Sequence, residues 1–253
     1  MIRRFVSLLV FYAMISCGAE LKTASNHSMQ YYLSLPSGWT AGKQWPVVMV
    51  IEDANRQFEA AAARFAAARG DMPFILATPM VVTNGGPRYR QAPDYKYSEA
   101  VWSEIERDTC RFDFDGIRAV ASDLHRQYGG EEKFFLTGFE AGGHTVWAYL
   151  FRYPETLRGV APVETNFAGR CVVGDSASTA TNGASPTIRV FGGAAGRSAG
   201  PLSGQTDRAM ELARQRGFRN ISETHVPGKG HEPLPQEVLA YFLSVWKQER
   251  GER

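Results

Sequence analysis

Short apolar runs alternate with helical patterns along most of the chain, and this alternation limits the fold more than any single motif. Strand patterns fall at residues 30–35, 47–51, 74–78, 133–136, 159–163, 187–191 and 221–226. Several are continuous apolar runs, as expected for strands buried on both faces. Helical patterns fall between them, at 57–69, 113–128, 141–153, 205–216 and 236–248. The first is Ala-rich and stops at Gly70, a good residue just past a helix end. In the second, Ile117, Val120, Ala121, Leu124 and Tyr128 share one face. Alternating βα units predict an α/β fold, with a mostly parallel central sheet and helices on both faces. No repeat and no linker divides the pattern, so residues 30–253 read as a single domain.

The first sixteen residues read as an address. Arg3 and Arg4 precede an apolar run at 5–15 that is too short to span a bilayer comfortably, which predicts a signal peptide over residues 1–16. The segment Met14-Ile15-Ser16-Cys17-Gly18 resembles a bacterial lipobox, in which Cys17 becomes the lipidated first residue. Ordinary cleavage after Ala19, discarding Cys17, is the alternative. Either route exports the protein, to the cell envelope as a lipoprotein or to the medium. Residues 17–29 then read as a short polar tether. The formal charge is +2 and falls near neutrality once Arg3 and Arg4 are removed. That gives no electrostatic case for nucleic acid or for an anionic membrane surface, so the expected membrane contact is the lipid anchor alone.

Export bears on the other cysteines. Cys110 and Cys171 have no CxxC or Cys/His spacing suited to zinc. A disulfide is the expected state in an oxidising compartment; two buried free thiols are the alternative. Two stretches, 79–109 and 166–186, are long and irregular. Both follow strands, so both emerge at the strands' C-terminal edge, where open α/β sheets bind ligands. A small-molecule or polymer ligand is therefore expected there. Trp102, Tyr95 and Tyr97 lie in the first stretch and read either as pocket lining or as loop anchors.

The most informative segment is 133–153, KFFLTGFEAGGHTVWAYLFRY. An apolar strand leads through Gly138-Phe139-Glu140-Ala141-Gly142 into a helix. This resembles the nucleophile elbow of α/β-hydrolases, G-x-S-x-G, with Glu140 in the place of the nucleophilic Ser. The resemblance extends over about 30–246. The segments YYLSLPSGWTAGKQWPVVMVI, FILATP and VPGKGHEPLP resemble those of secreted esterases related to polyhydroxybutyrate depolymerases and feruloyl esterases. It implies an α/β-hydrolase fold with His231 in the catalytic histidine's place, and oxyanion-hole positions at Ala141 and in the loop after residue 51. That loop reads Glu52-Asp53 where the family usually has His-Gly, and no acid stands near Gly196, where the family's acid is expected.

These departures divide the functional readings. A carboxylate attacking an ester carbonyl would give an anhydride, and Glu52 or Asp53 would oppose the developing oxyanion. One like charge at 4 Å costs about 4 kcal/mol at an effective dielectric near 20, roughly a thousandfold in rate, so serine-type esterase chemistry is disfavoured. One reading is a non-catalytic binding protein descended from a secreted esterase. The other is an active hydrolase in which Glu140 attacks alkyl carbon, or acts as acid or base, with His231 activating water. Glu164 ends the strand pattern 159–163 and is the candidate relocated acid of a Glu140–His231–Glu164 triad; a solvated loop carboxylate is its alternative reading. Glu52, Asp53, Glu140 and Glu164 also share one edge, which suits a hard cation or a cationic ligand, but their spacing matches no metal motif. Neither a metal nor a cofactor is expected.

Overall fold

The computed structural model describes residues 18–84, 95–172, 185–195 and 201–252. Residues 1–16, where a signal peptide is expected, Cys17 and the Gly196 region lie outside them. The strands are β1 (Glu20–Thr23), β2 (Gln30–Ser34), β3 (Val47–Ile51), β4 (Ile75–Pro79), β5 (Phe134–Phe139), β6 (Leu157–Val163), β7 (Thr187–Gly193) and β8 (Ile221–Val226). They form one sheet in the order β1-β2-β4-β3-β5-β6-β7-β8. β1, β2 and β4 pair antiparallel in succession, and the remaining pairs from β4 to β8 are parallel. The helices are α1 (Phe58–Arg69), α2 (Glu99–Arg107), α3 (Thr109–Tyr128), α4 (Ala141–Arg152), α5 (Pro201–Gln215) and α6 (Pro235–Glu249).

Two cores flank the sheet because side chains alternate along each strand. Val47, Met49 and Ile51 of β3 join a cluster with Ile117 and Leu124 of α3, Trp147 of α4 and Ala209 of α5. Val48 and Val50 join the opposite cluster with Phe65 of α1 and Val238 and Phe242 of α6. Both layers are apolar, which explains why β3 reads as an unbroken VVMVI run. Trp147 and Phe242 are core residues, as their helical spacing implies.

The expected tether is corrected in part. Residues 20–23 form an antiparallel edge strand on β2, and Ala24 and Met29 are buried. Ser25 donates to the buried Asp123 carboxylate from both its N–H, at 2.7 Å, and its hydroxyl, at 3.0 Å. Met29 fills the space beside Gly116 of α3, where a Cβ would meet its Cε at 2.5 Å. A four-residue strand of alternating polar character lacks the apolar signal that marks the others. The 79–109 stretch also contains a helix, α2, capped by the Ser98 hydroxyl accepting from the Val101 N–H. Tyr95, Tyr97 and Trp102 anchor this stretch: their rings pack on one another at 5.5–5.7 Å. The Tyr95 hydroxyl donates to the Val81 carbonyl at 2.6 Å, and Tyr97 accepts from the Gln30 N–H at 3.2 Å.

Cys110 and Cys171 are disulfide-bonded, with Cα atoms 5.5 Å apart. The bond ties the start of α3 to the loop that leaves β6.

Candidate active site

β5 delivers Glu140 into the turn before α4. Its backbone lies at φ 50° and ψ −111°, a strained conformation for a residue with a Cβ. Such positions cost on the order of 1–3 kcal/mol and persist only where packing over-determines them. The packing here is backbone on backbone. A Cβ at Gly138 would fall 2.5 Å from the Gly142 carbonyl oxygen, and one at Gly142 would fall 2.2 Å from that of Ile51. Only glycine permits the turn at these two positions. The Glu140 N–H donates to the Val163 carbonyl at 3.0 Å, which locks the turn to β6.

The next strand supplies a second carboxylate by a similar device. Glu164 follows β6 at φ 44°, and its N–H donates to the Phe191 carbonyl at 2.9 Å. Its Oε1 accepts from the Gly193 N–H at 2.6 Å. The side chain is 9% exposed, so Glu164 is a largely buried, hydrogen-bonded carboxylate.

His231 lies between the two. Its Nε2 is 4.0 Å from Glu140 Oε1 and its Nδ1 is 3.8 Å from Glu164 Oε2. The ring also packs on Phe139 at 4.7 Å. Both separations are longer than a hydrogen bond, so the contacts are electrostatic in this state. Glu164 is the stronger partner for an imidazolium, because solvent screens the 34% exposed Glu140 side chain more. Nδ1 thus faces Glu164 and Nε2 faces Glu140.

Glu52 and Asp53, in the loop after β3, interact with each other. Both are 6% exposed. Burial first, and then the Asp53 charge, push the Glu52 carboxyl up to about 7, against the opposing pull of Arg64. Asp53 accepts from the Asn55 N–H at 2.7 Å and the Asn55 side-chain amide at 3.0 Å. Ala141, the expected oxyanion-hole position, is buried in the first turn of α4. Among the described residues no group of three His, Cys, Asp or Glu side chains is placed to hold a metal ion.

His144 has a role that periodicity does not reveal. Its Nδ1 accepts from the Ala168 N–H at 3.2 Å, so its Nε2 carries the proton donated to the Arg170 carbonyl at 2.7 Å. The imidazole thus clasps the loop from Glu164 to Cys171 onto the elbow helix. Burial lowers its proton affinity, consistent with that neutral tautomer.

No protein-family model matches the chain, and no curated protein sequence matches it. Solved structures do. Esterase 2 of Thermogutta terrifontis is 16% identical with a TM-score of 0.57, over 96% of this chain and 98% of that one. Poly(aspartic acid) hydrolase-1 from Sphingomonas sp. KT-1 is 13% identical with a TM-score of 0.59, over 90% and 98%. The chain has the α/β-hydrolase fold. A Bacteroides ovatus protein described as a dipeptidyl aminopeptidase IV matches at 12% identity and a TM-score of 0.60, over 94% of this chain; the chain spans only 36% of that protein's length. At these identities the likeness carries the α/β-hydrolase fold and not a substrate. Glu140 stands in the turn between β5 and α4, and His231 faces it.

Proposed function

We propose that the chain is an exported hydrolase that uses Glu140 as a carboxylate nucleophile, His231 as general base and Glu164 as the group that orients His231. The observation that carries this reading is the placement of His231, with Nε2 toward Glu140 and Nδ1 toward Glu164. A Glu140 oxygen attacks an electrophilic sp³ carbon of a small-molecule or polymer substrate, and the bond from that carbon to its leaving group breaks: an alkyl halide releases halide ion, and an opened epoxide leaves an alkoxide that takes a proton from solvent water. The product is an alkyl ester on Glu140. His231 Nε2 then takes a proton from water, and the hydroxide adds to Glu140 Cδ. Collapse expels the alkoxide, which recovers the proton from His231. Neither metal nor cofactor is needed for this sequence. The oxyanion of the second step forms on the Glu140 carboxyl itself.

Descent from secreted esterases of the polyhydroxybutyrate depolymerase and feruloyl esterase type rests on the resembling segments around residues 31–51, 74–79 and 226–235. Export rests on the apolar N-terminal run, with Cys17 as the lipid attachment point. The Cys110–Cys171 bond supports an oxidising compartment.

A second reading, a non-catalytic binding protein, is favoured by one observation: two buried acids, Glu52 and Asp53, occupy the loop from which this fold draws an oxyanion donor. One experiment separates the two. The mature protein is incubated with a reactive epoxide and an alkyl halide, and its peptides are mapped by mass spectrometry. The carboxylate reading expects an adduct on Glu140 that accumulates in His231→Ala, with little turnover of p-nitrophenyl esters. Failure to modify Glu140 in either protein favours the binding reading. Ester turnover that survives Glu140→Ala and is blocked by a fluorophosphonate contradicts both.

A further inference from the structure

The loop leaving β3 is gripped at one peptide group. The Glu52 carbonyl oxygen accepts from the Asn84 side-chain amide. The same oxygen lies 2.8 Å from where a Cβ would stand on Gly142, so α4 closes it from another side. Asn84 is itself fixed: its Oδ1 accepts from the Thr145 hydroxyl of α4 at 2.6 Å, and Thr145 Oγ1 lies 3.4 Å from Thr83 Oγ1. The N–H groups of Val82 and Thr83 donate to the Asp113 carboxylate of α3 at 2.9 and 2.8 Å. Thr83, Asn84, Asp113 and Thr145 are all buried. Bonds in such a network cannot be exchanged for water, so each fixes a position.

A peptide group is planar and trans, so its N–H points opposite its C=O. Fixing the Glu52 carbonyl therefore fixes the direction of the Asp53 N–H. We infer that Asn84 is a positioning residue that aims the Asp53 N–H by holding the Glu52 carbonyl, with Thr145 and Asp113 as its anchors. This inference rests on the proposed Glu140 chemistry for its effect on rate. The loop N–H serves the step in which charge develops on the Glu140 carboxyl, the hydrolysis of the ester. Asn84 touches neither substrate nor reacting atom and acts through the peptide.

Three variants test it. Asn84→Asp keeps an acceptor for Thr145 but sets a carboxylate oxygen against the Glu52 carbonyl. Asn84→Ala removes both bonds. Thr145→Val removes the support and leaves the Asn84 donor. The first readout is amide hydrogen exchange at Asn55 and Arg56, whose N–H groups bond to Asp53 Oδ1 at 2.7 Å and to the Asp53 carbonyl at 3.3 Å. Both Asn84 variants should accelerate exchange there by about tenfold or more, with the β5 amides unchanged and Thr145→Val smaller in effect. Unchanged exchange at Asn55 and Arg56 overturns the inference, as does acceleration that spreads through β5. The second readout is the Glu140 adduct formed with the epoxide probe. Its lifetime should lengthen by roughly tenfold while its rate of formation changes less than about twofold. Equal slowing of both steps overturns the positioning role. If no adduct forms in the unmodified protein, the Glu140 chemistry is what has failed, and the exchange result alone decides whether Asn84 holds the loop.

Discussion

Replacing Cys110 and Cys171 by Ser together is expected to lower the unfolding free energy by about 4 kcal/mol. The bond closes a loop with a sequence separation of 61, and the chain-entropy relation for that length gives about this value. The loss should appear as a shift in the denaturation midpoint of oxidised protein, with the double Ser variant matching reduced protein. A second effect separates this bond from a generic staple. Cys171 lies at the end of the loop that begins with Glu164 and is clasped by His144, so the double variant should loosen that loop before the sheet unfolds. Faster amide exchange at Ala168 under native conditions would show it; a midpoint shift of less than about 1 kcal/mol would contradict the account.

The second large effect concerns pH. Asp113 is fully buried, and that burial pushes its carboxyl up to about 6, opposed by hydrogen bonds from Thr83 and Val82 and by the Arg170 charge. A folded-state pKa above the unfolded value means that the group's stabilising contribution is complete below pH ~4 and is lost as pH rises through about 6. A shift of about 2 units corresponds to about 3 kcal/mol. Asp113→Asn cannot ionise, so the difference in unfolding free energy between the variant and the unmodified protein should move by about that amount in the variant's favour between pH 4 and pH 7. Taking the difference cancels the other titrating groups, including Glu52, which carries the same sign in both proteins. A gap independent of pH would show that Asp113 titrates alike in the folded and unfolded chain, and would contradict the rise caused by its burial.

Much of the fold is legible because its central strands are buried on both faces. Residues 47–51 match the fully buried β3 at both ends, and 221–226 match β8, a half-exposed edge strand, at both ends. The helix of 141–153 is likewise visible, and differs from α4 only at its last residue. What periodicity misses is polar. β1 is a four-residue edge strand with one face in solvent, and its pairing with β2 is specified by register and by the buried Met29 rather than by its own composition. α2 is hidden by the Tyr-rich stretch before it, although Ser98, Trp102 and Ile105 give it a cap and a stripe.

The candidate site divides in the same way. Glu140 and His231 stand out because glycines and a His loop surround them. Glu164 is nameable only as an acid at a strand end; its burial and its bond to the Gly193 N–H depend on how β6 and β7 pair. The Asn84–Thr145 link joins residues 61 apart in the chain and has no local signature. The four acids that follow strands look like one cluster in sequence. In the structure Glu52 interacts with Asp53, Asp53 accepts from Asn55, and Glu140 and Glu164 lie on either side of His231.

The most direct test of the carboxylate mechanism is a single turnover of an epoxide or alkyl halide in oxygen-18 water, with protein in excess of substrate. If Glu140 is the nucleophile, the oxygen delivered to the product comes from its carboxylate. The first-turnover product then carries ordinary oxygen, and the peptide containing Glu140 gains the heavy isotope. Product carrying oxygen-18 with an unlabelled Glu140 peptide would mean direct attack by water. That result, or no turnover of either reagent, would contradict the mechanism.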